Sequence, residues 1–319
     1  MKKLAAGLLG LLFAISMVDS ASAEVRIPAV YIALGDSLAA GQTPESQIDT
    51  GYADLIAQEL GRNQPIAAFS KDLAFPGFTT GDVLERVKEE ETQELLASAN
   101  IITLSAGAND LLRLVQANPA DGSLQFQRIQ SDFALNGARQ NISEILNELD
   151  DAAPDADIYV MGYYFAYPHA RESQKEGFAE QLQILNEILK NEAQKVGAIF
   201  VSVDGAFGED ATSKVPNPDD VHPNIKGYQA MANQFFEQYQ SGWTIDDQEL
   251  PEPDPVSFED IMQGQDQQNG NTSEPDEETG ETPETPEQDA EAMDDDSSAH
   301  LLPDLKSDYL ALRTVLSIV

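Results

Sequence analysis

Cysteine is absent from this chain of 319 residues, and basic residues are scarce. Without cysteine the fold contains no disulfide and no thiolate metal site, and a cysteine nucleophile is excluded. Only 18 Lys and Arg stand against 56 Asp and Glu, which gives a formal net charge of -38. Because phosphate backbones and acidic lipids repel a polyanion, we exclude nucleic acid and anionic membrane surfaces as partners.

A long hydrophobic run lies at the N-terminus. Lys2 and Lys3 precede an apolar stretch that extends to about Val18, and the small residues Ala21-Ser22-Ala23 follow it. This order predicts a signal peptide over residues 1–23. The alternative is a retained membrane anchor, but the run is shorter than the roughly 20 apolar residues that a membrane span needs. We therefore expect a secreted, extracellular protein without a transmembrane span in the mature chain, and leave open whether it stays at the cell envelope.

The composition changes sharply near Trp243. Residues 244–300 carry 20 Asp or Glu and no Lys or Arg, with frequent Pro, Gln, Ser and Thr. Such a segment buries too little apolar surface to fold alone, which predicts a disordered acidic tail. The apolar end of the chain, residues 301–319, is either a short docking element for a partner or a frayed terminus, and it is too short to span a bilayer. Residues 24–243 remain as the folded domain.

Short β-rich runs alternate with helical stretches through this domain. The predicted strands are Val30–Leu34, Ile66–Phe69, Ile101–Leu104, Ile158–Met161 and Ile199–Val203. The predicted helices are Tyr52–Leu60, Gly81–Glu89, Phe126–Leu149, Lys175–Val196 and Ile225–Gln238. Continuous apolar strands are typical of a parallel sheet that is covered on both faces. The alternation predicts an α/β fold, a three-layer α/β/α sandwich with a doubly wound, mainly parallel, five-stranded sheet.

Polar motifs follow four of these strands. They are Gly35-Asp36-Ser37-Leu38, the stretch from Asp72 to Thr80 with Gly77 inside it, Gly107-Ala108-Asn109-Asp110, and Asp219-Asp220-Val221-His222-Pro223. In an open parallel sheet, ligands bind beyond the carboxyl ends of the strands, so these motifs are expected to meet at one edge. Taken singly, each motif has an ordinary alternative as a turn or a helix cap.

Together and in this order, the four motifs resemble those of the GDSL or SGNH hydrolase family, over roughly Val30 to Gln238. The resemblance implies a flavodoxin-like fold with Ser37 as nucleophile, Gly77 as the glycine of the second block and Asn109 as the asparagine of the third block. It also implies that Asp219 and His222 form the catalytic pair of the fifth block. Two departures concern the second block, where Asp72 stands in place of a frequent asparagine and Phe78 in place of a small residue.

The chemistry of ester cleavage agrees with these roles. A serine hydroxyl becomes a good nucleophile when a base removes its proton, and the imidazole of His222 suits that task. Asp219 is expected to orient the imidazole, with Asp220 as the alternative. The backbone N–H groups of Ser37 and Gly77 and the side-chain amide of Asn109 would form the oxyanion hole. This mechanism requires no metal and no cofactor.

The expected function is hydrolysis of a carboxylic ester in a lipid, an acylated sugar or a thioester. Two alternatives remain: a carbohydrate O-acetylesterase of the cell envelope, and a surface binding or scaffold protein without turnover. The aromatic run Tyr163-Tyr164-Phe165, with Tyr167 and His169, follows the fourth strand. It either lines a substrate pocket at the same edge of the sheet or packs in the core.

Overall fold

The computed structural model describes residues 27–261, apart from residues 118–122, 209–210 and 259. The predicted signal peptide, the acidic tail beyond residue 261 and the apolar C-terminal segment lie outside the described residues. None of the helices formed within the described ranges is both long and apolar enough to cross a membrane.

Five parallel strands form the main sheet of the described chain. In chain order the strands are β1 (Ala29–Gly35), β2 (Ile66–Ala74), β3 (Ile101–Ser105), β4 (Gln116–Ala117), β5 (Leu124–Gln125), β6 (Asp157–Met161) and β7 (Ile199–Val201). The order in the sheet is β2-β1-β3-β6-β7, and every neighbouring pair is parallel. The short strands β4 and β5 pair with each other in an antiparallel hairpin. The predicted α/β fold with a doubly wound parallel sheet is confirmed.

Helices cover both faces of the sheet. They are α1 (Ser37–Ala40), α2 (Tyr52–Asn63), α3 (Thr80–Val87), α4 (Glu90–Leu96), α5 (Ala108–Leu112), α6 (Arg128–Ala152), α7 (Glu172–Val196), α8 (Asp204–Phe207), α9 (Ala211–Lys214) and α10 (Ile225–Tyr239). Helices α2 and α10 pack together on one face, while α3, α4, α6 and α7 pack on the other. Every residue of β3 is buried, as expected for a strand between two helical layers.

The order of the strands reverses direction between β1 and β3. The chain moves outward from β1 to β2, then crosses back to place β3 on the other side of β1. The loops after β1 and β3 therefore leave the sheet in opposite directions and open a crevice between them. Ser37 follows β1 and Asn109 follows β3, so this crevice holds two of the predicted site residues.

The predicted domain boundary at residue 243 is wrong. Ile245 is 1% exposed, and its carbonyl oxygen accepts a hydrogen bond from the side chain of Gln229 at 2.9 Å. Farther on, Val256 pairs with Ile48 through two backbone hydrogen bonds of 2.9 Å, and the ring of Phe258 packs edge-on against Phe75. These few apolar residues anchor an otherwise acidic segment, so the folded domain extends to residue 261.

Candidate active site

The nucleophile turn begins where β1 ends. Gly35 has a φ of 130°, a conformation that favours glycine, and a Cβ at this position would lie 1.9 Å from the carbonyl oxygen of Ser105. This close approach lets the backbone N–H of Asp36 donate to that oxygen at 2.8 Å. Ser37 then opens α1 directly above the carboxyl edge of the sheet.

Asp36 holds this turn in place from below. Its Oδ1 accepts hydrogen bonds from the Leu38 backbone N–H at 3.0 Å and from Ser105 Oγ at 2.7 Å, and its Oδ2 accepts from the Tyr163 hydroxyl at 2.5 Å. Burial raises the pKa of Asp36, and the hydrogen bonds from Tyr163 and Ser105 oppose that increase. Burial also holds the pKa of Tyr163 well above 10, so its hydroxyl remains a donor. The network ties the nucleophile turn to the ends of β3 and β6.

Ser37, His222 and Asp220 form one continuous hydrogen-bonded chain. His222 Nε2 lies 2.7 Å from Ser37 Oγ, and His222 Nδ1 lies 2.7 Å from Asp220 Oδ1. The serine and the histidine are 7% and 6% exposed. We assign the ring proton to Nδ1 because an ionised carboxylate only accepts hydrogen bonds. Nε2 is then free to take the proton of the serine hydroxyl.

The structure corrects the predicted acidic partner of His222. Asp219 is exposed, and its backbone N–H donates to Asn217 Oδ1 at 3.0 Å. Asp220 is 7% exposed, and its Oδ1 accepts both the ring Nδ1–H and the backbone N–H of His222, the latter at 2.7 Å. An aspartate two residues before a donor closes a local turn of this kind, which directs its carboxylate inward and leaves the preceding side chain in solvent.

The loop that carries His222 is fixed at both ends. The Tyr164 hydroxyl donates to the carbonyl oxygen of Val221 at 2.7 Å, and the Tyr164 ring stacks on Phe207 with centroids 4.0 Å apart. Beyond the histidine, Asn224 caps α10, since its Oδ1 accepts from the backbone N–H groups of Lys226 and Gly227. These contacts hold the imidazole against the serine.

The candidate oxyanion-hole donors lie on two neighbouring loops. Asn109 is 4% exposed and borders the same pocket as Ser37 and His222. One N–H of its amide donates to the carbonyl oxygen of Phe78 at 2.9 Å, which leaves the second N–H for a ligand. That bond ties Asn109 to the loop that carries Gly77, which precedes Phe78 and has a φ of 84°. Within the described ranges, no backbone hydrogen bond uses the N–H of Ser37 or of Gly77.

An apolar pocket extends from the nucleophile between α5, α6 and α7. Its walls include Leu111, Leu112, Val115, Phe126, Phe178 and Leu182. Four residues of the aromatic run, Tyr163, Tyr164, Phe165 and Tyr167, also line it. The structure supports both predictions for that run, because Tyr163 and Tyr164, each 4% exposed, also belong to the hydrophobic core. His169 is not among the residues that line the pocket, and its Nε2 lies 2.8 Å from the carbonyl oxygen of Val215.

Three features of the site were not predicted from the sequence. The role of Tyr163 in holding Asp36 is one, and the position of Gln181 in the pocket wall is another. The third is Ser105, which only its place at the end of a predicted strand could have indicated. Among the residues that the structure describes, no group of three or more His, Asp or Glu side chains is placed to hold a metal ion.

Comparison with known sequences identifies a family. The family model of the GDSL-like lipases and acylhydrolases matches residues 33–230. Among individual relatives, the spore germination lipase LipC of Bacillus licheniformis is 23% identical over 219 residues, which cover 64% of this chain and 93% of LipC.

Solved structures of similar fold include two ester hydrolases. The lipase Lip_vut3 from a goat rumen metagenome superimposes with a TM-score of 0.52 at 18% identity, covering 67% of this chain and 97% of the lipase. A catalytic mutant of Axe2, an acetylxylan esterase from Geobacillus stearothermophilus, gives a TM-score of 0.51 at 16% identity, covering 69% of this chain and 99% of the esterase. At such identities the likeness shows the fold alone.

Proposed function

The chain belongs to the GDSL-like lipase/acylhydrolase family, and on that premise we propose that it hydrolyses carboxylic esters through an acyl-serine intermediate on Ser37. The observation that carries the proposal is the hydrogen-bonded chain from Ser37 through His222 to Asp220, with two links of 2.7 Å. A binding or scaffold protein has no need of a buried base that accepts from a serine hydroxyl.

In the first half-reaction, Ser37 Oγ attacks the ester carbonyl carbon while its proton passes to His222 Nε2. The imidazolium that results is stabilised by the carboxylate of Asp220, which accepts from Nδ1. The negative oxygen of the tetrahedral intermediate receives hydrogen bonds from the free N–H of Asn109 and from the backbone N–H groups of Ser37 and Gly77. The intermediate collapses when His222 returns the proton to the leaving alcohol.

In the second half-reaction, water attacks the acyl-serine carbonyl and repeats the same proton transfers. His222 takes a proton from the water and gives it to Ser37 Oγ as the acyl group leaves as a carboxylic acid. The oxyanion of this second intermediate receives the same hydrogen bonds as the first. The net reaction converts one ester and one water into one acid and one alcohol.

The acyl group of the substrate is proposed to be longer than acetyl. An acetyl group would leave the apolar pocket between α6 and α7 without an occupant, whereas an alkyl chain would bury apolar surface there at roughly 25 cal/mol per Å². The relative LipC is a lipase, which points in the same direction. A lipid or another small-molecule acyl ester is thus the favoured substrate, ahead of an O-acetylated carbohydrate.

Export is a separate proposal that rests on the sequence of residues 1–23. The two lysines, the apolar run and the small residues after it are the parts of a secretory signal. Mass spectrometry of the chain recovered from the medium and from the cell-envelope fraction tests this proposal. Protein from these fractions that still carries residues 1–23 would contradict it.

Hydrolysis of p-nitrophenyl esters from acetate to palmitate tests the activity. We expect turnover with a preference for chains longer than acetate, and a loss in Ser37→Ala of several orders of magnitude, up to about 10⁶-fold. Ser98→Ala is the matched control, because Ser98 is exposed and its hydroxyl bonds only to the Leu95 carbonyl oxygen. A fluorophosphonate probe should label the wild-type chain and the Ser98 variant but not the Ser37 variant. Folded protein that neither turns over an ester nor reacts with the probe would favour the scaffold alternative.

A further inference from the structure

One polar side chain lies in the wall of the apolar pocket without a role in the mechanism. Gln181 is 5% exposed and shares one face of α7 with Phe178 and Leu185, three residues before it and four after it. All three border the pocket that opens at Ser37. At helical spacing this is the face that packs inward, where an apolar residue is the expected choice.

The amide of Gln181 lacks the partner that a buried amide normally has. Its Oε1 is fully enclosed, and it has no hydrogen-bond partner among the described residues. Gln229 shows the ordinary situation, since it is 8% exposed and its amide donates to the carbonyl oxygen of Ile245 and to Asp247. Leaving a buried acceptor unsatisfied is costly, so the exception at Gln181 requires an explanation.

A second polar group borders the same pocket. Ser131 on α6 is 2% exposed, and its hydroxyl makes only a long bond of 3.4 Å to the carbonyl oxygen of Gln127 in its own helix. Because α6 packs against α7, both helices present a polar side chain to a cavity whose other walls are largely aliphatic and aromatic. A plain alkyl chain would satisfy neither group.

Gln181 lies near the loop that carries Asn109. Leu185, one turn along α7, lies so close to Gly107 that a Cβ there would be 2.9 Å from Leu185 Cδ1. Gly107 precedes Asn109 by two residues, and Asn109 is on the side of the developing oxyanion. The leaving alcohol, by contrast, must lie beside His222, which protonates it. Since the proposed function places the acyl chain in the apolar pocket, an occupant that reaches Gln181 is the acyl group.

We propose that the acyl group of the substrate carries a hydroxyl and that the Gln181 amide turns toward the apolar pocket, so that its Oε1 accepts a hydrogen bond from this hydroxyl. This inference rests on the proposed ester hydrolysis and names its substrate class, esters of hydroxylated aliphatic acids. A hydroxyl supplies the missing donor, and its own oxygen can accept from the amide or from Ser131. Sites built around a substrate hydroxyl reject the analogue that lacks it, because their buried polar group is then left unpaired.

The test compares the ethyl esters of hexanoic acid and of its 3-hydroxy and 6-hydroxy derivatives, with acid release followed in a pH-stat. For the full-length protein we expect kcat/KM for the better hydroxylated ester to exceed that for ethyl hexanoate by about tenfold, the ratio that 1.4 kcal/mol corresponds to at 25 °C. Methionine has the length of glutamine without its hydrogen-bonding groups, so Gln181→Met should bring the three values of kcat/KM to within about twofold, mainly by slowing the hydroxylated ester.

Gln183→Met is the control for this substitution. It makes the same chemical change on α7 at an exposed residue whose amide bonds to Glu187, so the preference should remain. Because Gln181→Met removes an unpaired buried amide, its urea midpoint should be equal to or higher than that of the wild type. If that variant does not fold, Gln181→Leu removes the same groups.

Three results would overturn the inference. The first is a wild-type enzyme that hydrolyses ethyl hexanoate at least as well as both hydroxylated esters, as expected if water satisfies the amide. The second is a preference that survives Gln181→Met. In both cases ester hydrolysis itself stands. The third is no hydrolysis of any ester together with no fluorophosphonate labelling of Ser37, which removes the proposed function and the inference with it.

Discussion

Replacing Asp220 by asparagine removes the negative charge that faces His222 and preserves the size of the side chain. In the structure Asp220 Oδ1 accepts from both the ring Nδ1–H and the backbone N–H of His222, each at 2.7 Å. Because the backbone N–H needs an acceptor, the asparagine should keep its oxygen toward the histidine. The ring proton then stays on Nδ1, and Nε2 can still accept from Ser37.

The expected loss is therefore that of the charge alone. A carboxylate and an imidazolium about 4 Å apart attract each other by about 4 kcal/mol at an effective dielectric constant of 20. Since 1.36 kcal/mol corresponds to a tenfold change in rate, kcat should fall by about 10³. The loss is smaller than the roughly 10⁴ that accompanies a wrong tautomer in the serine-protease triad. Asp219→Asn should change kcat by less than about twofold, because this side chain is exposed and the ring Nδ1–H is bonded to Asp220 instead.

The assay is steady-state hydrolysis of p-nitrophenyl butyrate by the wild type, the two asparagine variants and Ser37→Ala, with circular dichroism to confirm folding. A loss of 10² or more in Asp219→Asn, beside a change of less than tenfold in Asp220→Asn, would refute the reasoning. It would return the orienting role to Asp219, as the family motif implies. Losses of less than tenfold in both variants would show that neither carboxylate stabilises the imidazolium.

Three further predictions concern the oxyanion hole, a buried carboxyl and the chain end. Asn109→Ala should lower kcat by about 10² to 10³ in single-turnover assays with little change in KM, because it removes a donor that acts on the transition state. Burial raises the pKa of Asp36, so the folded state disfavours its charged form. The free energy of unfolding in urea, measured for the wild type relative to Asp36→Asn, should therefore fall as the pH rises from the ordinary aspartate pKa of about 3.9 through the raised pKa of Asp36. A difference that grows with pH would contradict this. Deleting residues 262–319 should leave activity and the urea midpoint unchanged. Deleting 244–319 should lower the midpoint, because it removes the buried side chain of Ile245, whose burial contributes about 1.5–3 kcal/mol. Equal midpoints for the two truncations would show that Ile245 does not contribute to the core.

The main sheet was predictable because the amino-acid composition of its strands indicates that helices cover them. A strand between two helical layers is apolar on both faces, and the predicted and observed strands all overlap for that reason. The long helices α6 and α7 were predictable from their periodicity. Short helices such as α1 and α5, with four and five residues, carry too little periodicity to be recognised, although they position Ser37 and Asn109.

The composition of a segment says less about isolated anchor residues. The stretch after Trp243 is acidic and rich in proline, which predicted disorder from residue 244 onward. The average hides Ile245 and Phe258, whose burial against the domain holds residues 244–261 in place. Whether such anchors find a complementary surface depends on residues such as Ile48 and Phe75, which are some 200 positions earlier in the chain.

The sequence by itself determined the residue types of the site and their location at one edge of the sheet, since parallel strands carry their following residues to a common edge. The tertiary structure decided between Asp219 and Asp220, because a spacing of two or three residues is compatible with either contact and only the turn before His222 selects one. It also decided that Gln181 faces a cavity. Helical periodicity places a residue on the inner face of a helix, but only the packing of α6 against α7 determines whether that face meets a neighbour or an open pocket.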